Sequence, residues 1–520
     1  EEFPFVVAGG PCACNVAPLI NFIDIFLLGD GEELIDLLVQ KYIEFKDKKL
    51  PKIEFLKSIK GIKGIYIPTL NQKNEIVHKA VINELDKAYY PVSPVVPNVE
   101  VVQNKISVEV LRGCTRGCRF CQAGYIYRPF RQRGIEKILE ICKKSIQNTG
   151  IDEISLASLS TSDYQNFPVL AQKVNDVAKS RMVNVSLPSL RVDSISLDVL
   201  ENINGVKKSS ITFAPEAGSQ RLRDVINKNI TKDDILNGCK LAFLKGYSSV
   251  KLYFMIGLPT ETFEDLREIV DLANSIVDLY YSLPKEKQNG KCQVTVSTST
   301  FVPKAHTPFQ WFGQNSAEKI ELKQKFLRDN LKGKNLKYNW HNSKTSVLEA
   351  VIARGDEKIS NLIYYAWVYG AKLDSFEEKL NLEAWDKAFK KLGFKPEDYA
   401  CKEYDLDYEF AWDNIMHGVS KEFLKREYKK ALKAETTDRC SDNNCSFCGV
   451  SLISKCKFIE NYKLVFDKLL YEEKNLERKE RNKILDDLCS NKDFFIFLKN
   501  NKDKVKHYNI IKNLVDKKLY

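Results

Sequence analysis

Between residues 106 and 300 the chain repeats one alternation: a short apolar run, then a segment whose apolar residues recur at helical spacing. The strand candidates are 106–111, 152–157, 183–188, 209–214, 249–256 and 292–300. Helical patterns fall near 134–148, 166–180, 197–203, 219–245 and 262–282. Strands separated by helix-length crossovers pair in parallel, because a tight hairpin reverses the chain. The expectation is an α/β fold with a parallel, barrel-like sheet and its functional loops at the carboxyl ends of the strands.

The first of those loops is Arg112-Gly113-Cys114-Thr115-Arg116-Gly117-Cys118-Arg119-Phe120-Cys121. Glycines at 113 and 117 let the backbone turn tightly, so that three sulfurs can converge on one small object. Three thiolates without a nearby fourth suit an iron–sulfur cluster that keeps one iron open. Zinc takes four protein ligands, or three with help from histidine or carboxylate. Cys114, Cys118 and Cys121 are therefore the candidate metal ligands. Arg112, Arg116, Arg119, Arg128, Arg131 and Arg133 surround them. They suit either charge compensation around the site or a positive mouth for an anionic substrate.

Upstream, Phe3–Ala8 and Ile23–Leu28 are apolar runs that end in glycine turns, and the second feeds a helical pattern through Leu34, Leu37, Leu38 and Tyr42. Strand, turn and helix in this order read as a doubly wound unit. Only two strands are visible where such a unit has about five. Residues 1–60 are expected to be the C-terminal half of a truncated Rossmann-like domain, with further residues upstream. Gly29-Asp30-Gly31 suits a tight turn better than a phosphate loop. A connector with Pro91, Pro94 and Pro97 spans 61–105, and 50–105 is expected to be irregular.

Residues 311–435 read as a mainly helical accessory region and 457–520 as a Lys-rich helical tail. Between them, 436–456 holds a second group: Cys440, Cys445 and Cys448, with Cys456 beyond. A C-x-x-C pair with a third cysteine close by is a knuckle that can bite one metal. With Cys456 the set suits structural zinc or an auxiliary iron–sulfur cluster. Without it an iron would stay open, and unmetallated cysteines are the other reading.

The chain of 520 residues carries 14 cysteines and no run of about 18 apolar residues. Metal-binding thiols in a reducing, cytoplasmic compartment are expected, with no membrane span. The net charge of +11 is spread over Lys-rich helices and by itself decides nothing about nucleic acid.

Cys114, Cys118 and Cys121, with Phe120 before the last cysteine, resemble the signature of the radical SAM superfamily. The β/α alternation supports the match. The resemblance implies a partial (β/α)6 TIM-like radical SAM barrel over residues 106–310, a 4Fe–4S cluster on these cysteines and S-adenosylmethionine (SAM) on the open iron. One electron then cleaves SAM to methionine and a 5′-deoxyadenosyl radical. Thr212–Ser219 resembles the stretch that contacts SAM through a carboxylate, here Glu216. Tyr253–Thr262 resembles the G-x-P-x-E stretch, which implies cofactor contact at Ile256, Gly257, Pro259 and Glu261. Many members carry G-G-E after the second strand; here Ser160 or Thr161 stands in its place. Arg191 is the implied partner of the SAM carboxylate.

Gly9-Gly10-Pro11-Cys12, Phe213–Gly218, Phe301–Lys304, Trp412–Glu422 and the second cysteine group resemble an uncharacterised subfamily, neighbour to cobalamin-dependent and methylthiotransferase-like members. Its N-terminal domain is of the cobalamin-binding type. None of the histidines at 78, 306, 341, 417 and 507 sits in the D-x-H-x-x-G loop that base-off cobalamin requires, so cobalamin is unsupported here. His306 suits a proton donor or, more simply, a loop hydrogen bond. The implied function is methyl or methylthio transfer to RNA or a ribosomal component in an anaerobic setting, with flavodoxin or ferredoxin as reductant. The alternative is a non-catalytic iron–sulfur or zinc protein that binds RNA or ribosomes. Glu216 and the Gly257–Glu261 stretch favour the enzyme.

Overall fold

A computed structural model of the chain describes residues 4–48, 50–186, 191, 211–441 and 444–458. At the N-terminus β1 (Val7–Gly9) and β2 (Ile25–Leu27) pair in parallel. Helices α1 (Glu32–Asp47) and α2 (Lys52–Ile59) bury Leu34, Leu38, Phe55 and Ile59 against Ile25 and Leu27. The sequence left 52–59 irregular. Its one helical turn of buried residues, Phe55, Leu56 and Ile59, is too short for periodicity to register. β3 (Ile65–Tyr66) then runs antiparallel to β2, where a doubly wound unit would continue in parallel.

The connector is a packing strip rather than a tether. β4 (Val77–His78) pairs in parallel with residues 415–416. Val77 and Ile415 share one apolar cluster with Phe26, Leu28 and Tyr66. Burying an edge strand in this way satisfies its backbone groups and joins distant parts of the chain.

The alternating segment forms the expected parallel α/β architecture. β5 (Ile106–Glu109) is followed by a hairpin of β6 (Leu111–Arg112) and β7 (Arg131–Gln132), which encloses α3 (Gln122–Ile126). Then come α4 (Ile135–Thr149), β8 (Glu153–Ala157), α5 (Phe167–Lys179) and β9 (Asn184–Ser186). After residue 210 follow β10 (Ile211–Glu216), α6 (Gln220–Val225), α7 (Lys232–Leu244), β11 (Ser249–Ile256), α8 (Phe263–Tyr281) and β12 (Gln293–Thr300). Among the described residues the parallel strands of this segment lie in two sheets, β5-β8-β9 and β10-β11-β12. Residues 187–188 of the third expected strand and the helix expected at 197–203 lie outside the described residues, as do 459–520 of the expected helical tail.

Two expectations are corrected. The single helix over 219–245 is two helices, because Asn227 and Asn229 adopt left-handed backbone and Thr231 opens α7 with a reciprocal Thr231–Asp234 capping box. The region after 310 is not helical throughout. After α9 (Ala317–Asn330), β13 (Leu336–Trp340) extends the sheet in parallel with β12, matching Leu336 to Val294 and Trp340 to Thr298. Leu336 and Tyr338 pack on the core while Lys337, Asn339 and Trp340 stay exposed, so the strand carries little apolar signal.

α10 (Ser343–Ala353), α11 (Lys358–Val368), α12 (Leu382–Leu392) and α13 (Glu397–Ala400) close around Val351, Ile359, Leu362, Trp385 and Phe389. β14 (Ile415–Met416) and α14 (Lys421–Leu432) follow. No described helix is long and apolar enough to cross a membrane. The N-terminal unit docks on the helices through buried Asn15, whose amide donates to the Gly355 carbonyl at 3.0 Å while its oxygen accepts from the Ala17 N–H at 3.2 Å. Asn15→Ala strands both groups in the interior. It should lower unfolding stability by about 1–3 kcal/mol in a urea titration, whereas a loss within experimental error would show that the contact is not buried in solution.

Candidate active site at the cysteine loop

The β6/β7 ladder clamps both ends of the cysteine loop. Gly113 takes φ +84°, and a Cβ there would meet the carbonyl oxygens of Pro129 at 2.7 Å and Tyr127 at 2.8 Å. Glycine is therefore obligatory at this turn. Gly117 turns against Asn227, whose amide donates to its carbonyl at 3.1 Å. Cys121 stands at the N-terminus of α3, and Cys114 Sγ accepts the Arg116 N–H at 3.4 Å.

The three sulfurs lie in one electrostatic neighbourhood. Burial, with Cys118 and then Cys121 adding, pushes the Cys114 thiol up to about 12. Burial followed by Cys118 pushes Cys121 to about 11; Lys228 draws it down and Glu216 pushes it up. Among the described residues no group of three or more His, Cys, Asp or Glu side chains stands at metal-ligand spacing. The sulfurs are gathered as thiols. A metal centre would displace their protons and draw them onto one point. Three soft donors turned inward by a glycine loop fit an iron–sulfur cluster with one iron not held by the protein.

Across from the loop, Glu216 ends β10 at an irregularity in the ladder between Phe213 and Glu216. Its φ of +69° is a left-handed conformation that a non-glycine residue holds only where its surroundings impose it. It accepts from Lys228 Nζ at 3.2 Å. Arg191 in turn donates to the Lys228 carbonyl at 3.0 Å, and its backbone N–H reaches Ser162 Oγ at 3.5 Å. The ends of β8, β9 and β10 thus meet beside Cys121. Ser160 and Thr161 are buried at the end of β8, with Thr161 Oγ1 sharing a hydrogen bond with Ser158 Oγ at 2.8 Å.

The stretch after β11 is tied to itself. Gly257 has φ +80° and donates its N–H to Glu261 Oε2 at 2.7 Å, and Lys323 Nζ reaches the same oxygen at 2.6 Å. Burial pushes the Glu261 carboxyl up, against Lys323. Glu261 Oε1 is buried without a hydrogen-bond partner. Pro259 is buried, and the Ile256 carbonyl accepts the Phe301 N–H at 2.9 Å. Glu261 therefore shapes the turn through its own backbone.

The arginines are engaged, so the positive-mouth reading gives way to charge compensation. Arg112 pairs with Glu32 at 2.6 Å and with Asp30 and Glu109, each at 2.9 Å. Arg116 pairs with Asp163 and Arg131 with Asp30, both at 2.5 Å. Arg133 donates to the Glu109 carbonyl, and Arg128 to the carbonyls of Gly124 and Arg116. Arg119 is fully buried. It meets Glu427 of α14 at 3.1 Å and the carbonyls of Asp224, Val225 and Glu435. His306 is the loop hydrogen bond: its Nε2 lies 2.8 Å from the Cys14 carbonyl, and burial pulls its pKa down to about 4.

Sequence reading missed Lys228, Lys323 and Glu427. The signal for the last two was present: Lys323 lies between Ile320 and Leu327, and Glu427 between Phe423 and Ala431, on faces that periodicity assigns to the core. His78 is exposed and His417 buried, and neither lies in a D-x-H-x-x-G loop, so the residues present do not fit base-off cobalamin. Glu427→Ala leaves Arg119 an uncompensated buried charge. It should cost about 3–5 kcal/mol in denaturant unfolding and lower the iron retained after reconstitution. Unchanged stability would refute the pair's role.

A family model described as the Radical SAM superfamily matches residues 108–273, and one described as Radical SAM proteins, N-terminal, matches 1–68. An uncharacterised protein of Methanocaldococcus jannaschii is 31% identical over 363 residues, which cover 69% of this chain and 73% of that protein. A tRNA-2-methylthio-N(6)-dimethylallyladenosine synthase of Lachnoclostridium phytofermentans is 24% identical over 225 residues, 41% of this chain and 49% of its own length. The chain thus spans about half of that relative. The structure of the cobalamin-dependent SAM radical enzyme OxsB aligns over 93% of this chain and 70% of its own, at 13% identity and a TM-score of 0.41.

Proposed function

We propose, for a chain that belongs to the radical SAM superfamily, that Cys114, Cys118 and Cys121 hold its 4Fe–4S cluster and that the ends of β8 to β11 hold its SAM. The family is one of enzymes that use such a cluster with SAM. The observation that carries the assignment is that Glu216, at the end of β10, and Lys228, which reaches it at 3.2 Å, stand beside Cys121. When bound, the cluster supplies one electron for reductive cleavage of SAM to methionine and a 5′-deoxyadenosyl radical.

The chain's own residues do the positioning. Glu216 offers a carboxylate to a ribose hydroxyl or ammonium group, held in place by Lys228. Arg191 offers a guanidinium fork to the SAM carboxylate. Ser160 and Thr161 supply hydroxyls where other members carry a carboxylate. The Gly257–Glu261 turn, with Ile256 and Pro259, presents backbone to the adenine, and Glu261 fixes its shape.

For the substrate we favour methyl or methylthio transfer to RNA or a ribosomal component. The support is the tRNA-modifying relative, matched over half its length. Flavodoxin or ferredoxin is the fitting reductant, and the cytoplasm the fitting compartment.

Anaerobically reconstituted protein with dithionite should release 5′-deoxyadenosine from SAM, and Cys118→Ala should abolish it. Glu216→Gln should raise KM for SAM about tenfold, the worth of one charge-assisted hydrogen bond, while leaving the cluster's absorbance intact. Undiminished cleavage by Cys118→Ala would sink the cluster assignment. A reduced-cluster EPR spectrum indifferent to SAM would favour the non-catalytic binding protein. Digested tRNA, incubated with enzyme and isotopically labelled SAM, should carry labelled methyl groups by mass spectrometry; unlabelled tRNA would remove RNA as substrate.

A further inference from the structure

The second cysteine group lies against the first loop: the Cys440 N–H donates to the Thr115 carbonyl at 2.9 Å. We infer that Cys440, Cys445, Cys448 and Cys456 form a tetrathiolate site for a single zinc ion, which clamps the segment from Thr437 to Phe458 onto the cysteine loop.

All four cysteines are free of disulfides, and Cys445 and Cys448 are buried. Cys440 and Cys456 pack on the core that contains Cys445, and Cys456 also packs on the adjoining core that contains Cys448. Cys456 is thus the residue common to both halves of the set. Cys445 is acted on by Cys440, Cys448 and Cys456 together, after burial itself. The four soft donors share one packed neighbourhood without yet standing at metal-ligand spacing.

The local backbone is shaped for anionic sulfur. In Cys445-Ser446-Phe447-Cys448-Gly449, Phe447 turns to φ +49° and Gly449 to φ +93°. That turn aims the Phe447 N–H at Cys445 Sγ, 3.4 Å away. A Cβ on Gly449 would press on Ser420, at 3.1 Å from its Cβ. Cysteines two apart on a tight turn, with an N–H directed at the first sulfur, make a metal knuckle.

The charge balance points the same way. Arg128 is buried and bonded to the carbonyls of Gly124 and Arg116 and to Ser446 Oγ at 3.2 Å. Burial disfavours its charge, and Cys448 and Cys440 are the first groups to favour it. Buried Lys79 also feels Cys448. A zinc ion with four thiolates carries a net charge of about −2, and these cations stand ready to offset it.

The surroundings fit a closed structural site. The segment is fastened through Ser420 N–H to the Cys448 carbonyl at 2.9 Å, Arg426 to the Ser446 carbonyl at 2.7 Å, and Asn227 to both the N–H and the carbonyl of Thr437. Four thiolates fill zinc's tetrahedral shell and leave no position for substrate. Closing the shell requires the four side chains to draw together, with Cys440 leaving its contact with Ser446 Oγ at 3.3 Å. Each S–Zn bond replaces one S–H, whose proton leaves to solvent.

The test is metal analysis of the full chain purified anaerobically. Wild type should hold about one zinc, with zinc-edge X-ray absorption showing four sulfurs at about 2.3 Å. A Cys445→Ser/Cys448→Ser variant should lose the zinc but keep the iron, and a Cys114→Ala/Cys118→Ala/Cys121→Ala variant should do the reverse. If the first variant does not fold, wild type from cobalt-supplemented cells should show tetrahedral cobalt–thiolate absorption. Zinc with nitrogen or oxygen neighbours, no zinc at all, or iron persisting in the triple variant would overturn the proposal, the last by showing a second iron–sulfur cluster. Because zinc and iron are counted separately, failure here leaves the SAM-cleaving assignment standing, and the converse holds.

Discussion

Arg119 sits between two cysteines of one loop, and its guanidinium is wholly buried. With no exposed surface it bonds to Glu427 of α14, to two carbonyls at the end of α6 and to the Glu435 carbonyl. A buried charge of this kind is tolerable only with its partners in place. The cysteine loop therefore acquires its shape from residues about a hundred and three hundred positions downstream. Thr437 extends the arrangement by donating its hydroxyl to Glu427 at 2.9 Å while Asn227 holds its backbone. The loop cannot order before α6, α14 and the following segment have docked.

The same pairing explains why a ring of six arginines does not make a basic mouth. Arg112, Arg131 and Asp30 form a chain of contacts from the cysteine hairpin to the N-terminal unit. Arg116 and Arg439 converge on Asp163 from the two cysteine segments. Guanidinium suits this work because its planar fork bonds several oxygens at once and stays charged when buried. An anionic substrate must find its counter-charge elsewhere.

What could be read beforehand follows from range. β11 was legible to the residue, because eight strand residues between a glycine turn and a glycine-containing loop leave little freedom. The closeness of the three cysteines and the turn at Gly257 were legible because each is made within ten residues of chain. β13 was not, since a strand with three exposed residues in five resembles a polar connection. The pairing of Val77 with Ile415 was beyond reach, as no local pattern encodes a partner more than three hundred residues away. Lys228 escaped for the same reason: its meaning comes from Glu216 and Arg191, which only the folded chain brings beside it.

The contact between Cys440 and Thr115 joins the two cysteine segments through backbone, with Arg128 lying between them and bonded to Ser446 on one side and to Gly124 and Arg116 on the other. Whatever orders one segment lowers the entropy left for the other to lose. The glycines enforce this by removing slack: Gly113 and Gly449 each hold positive φ against close neighbours, so neither segment can yield without its partner. The geometry of the loop at Cys114, Cys118 and Cys121 is thus inherited from residues far from it in sequence.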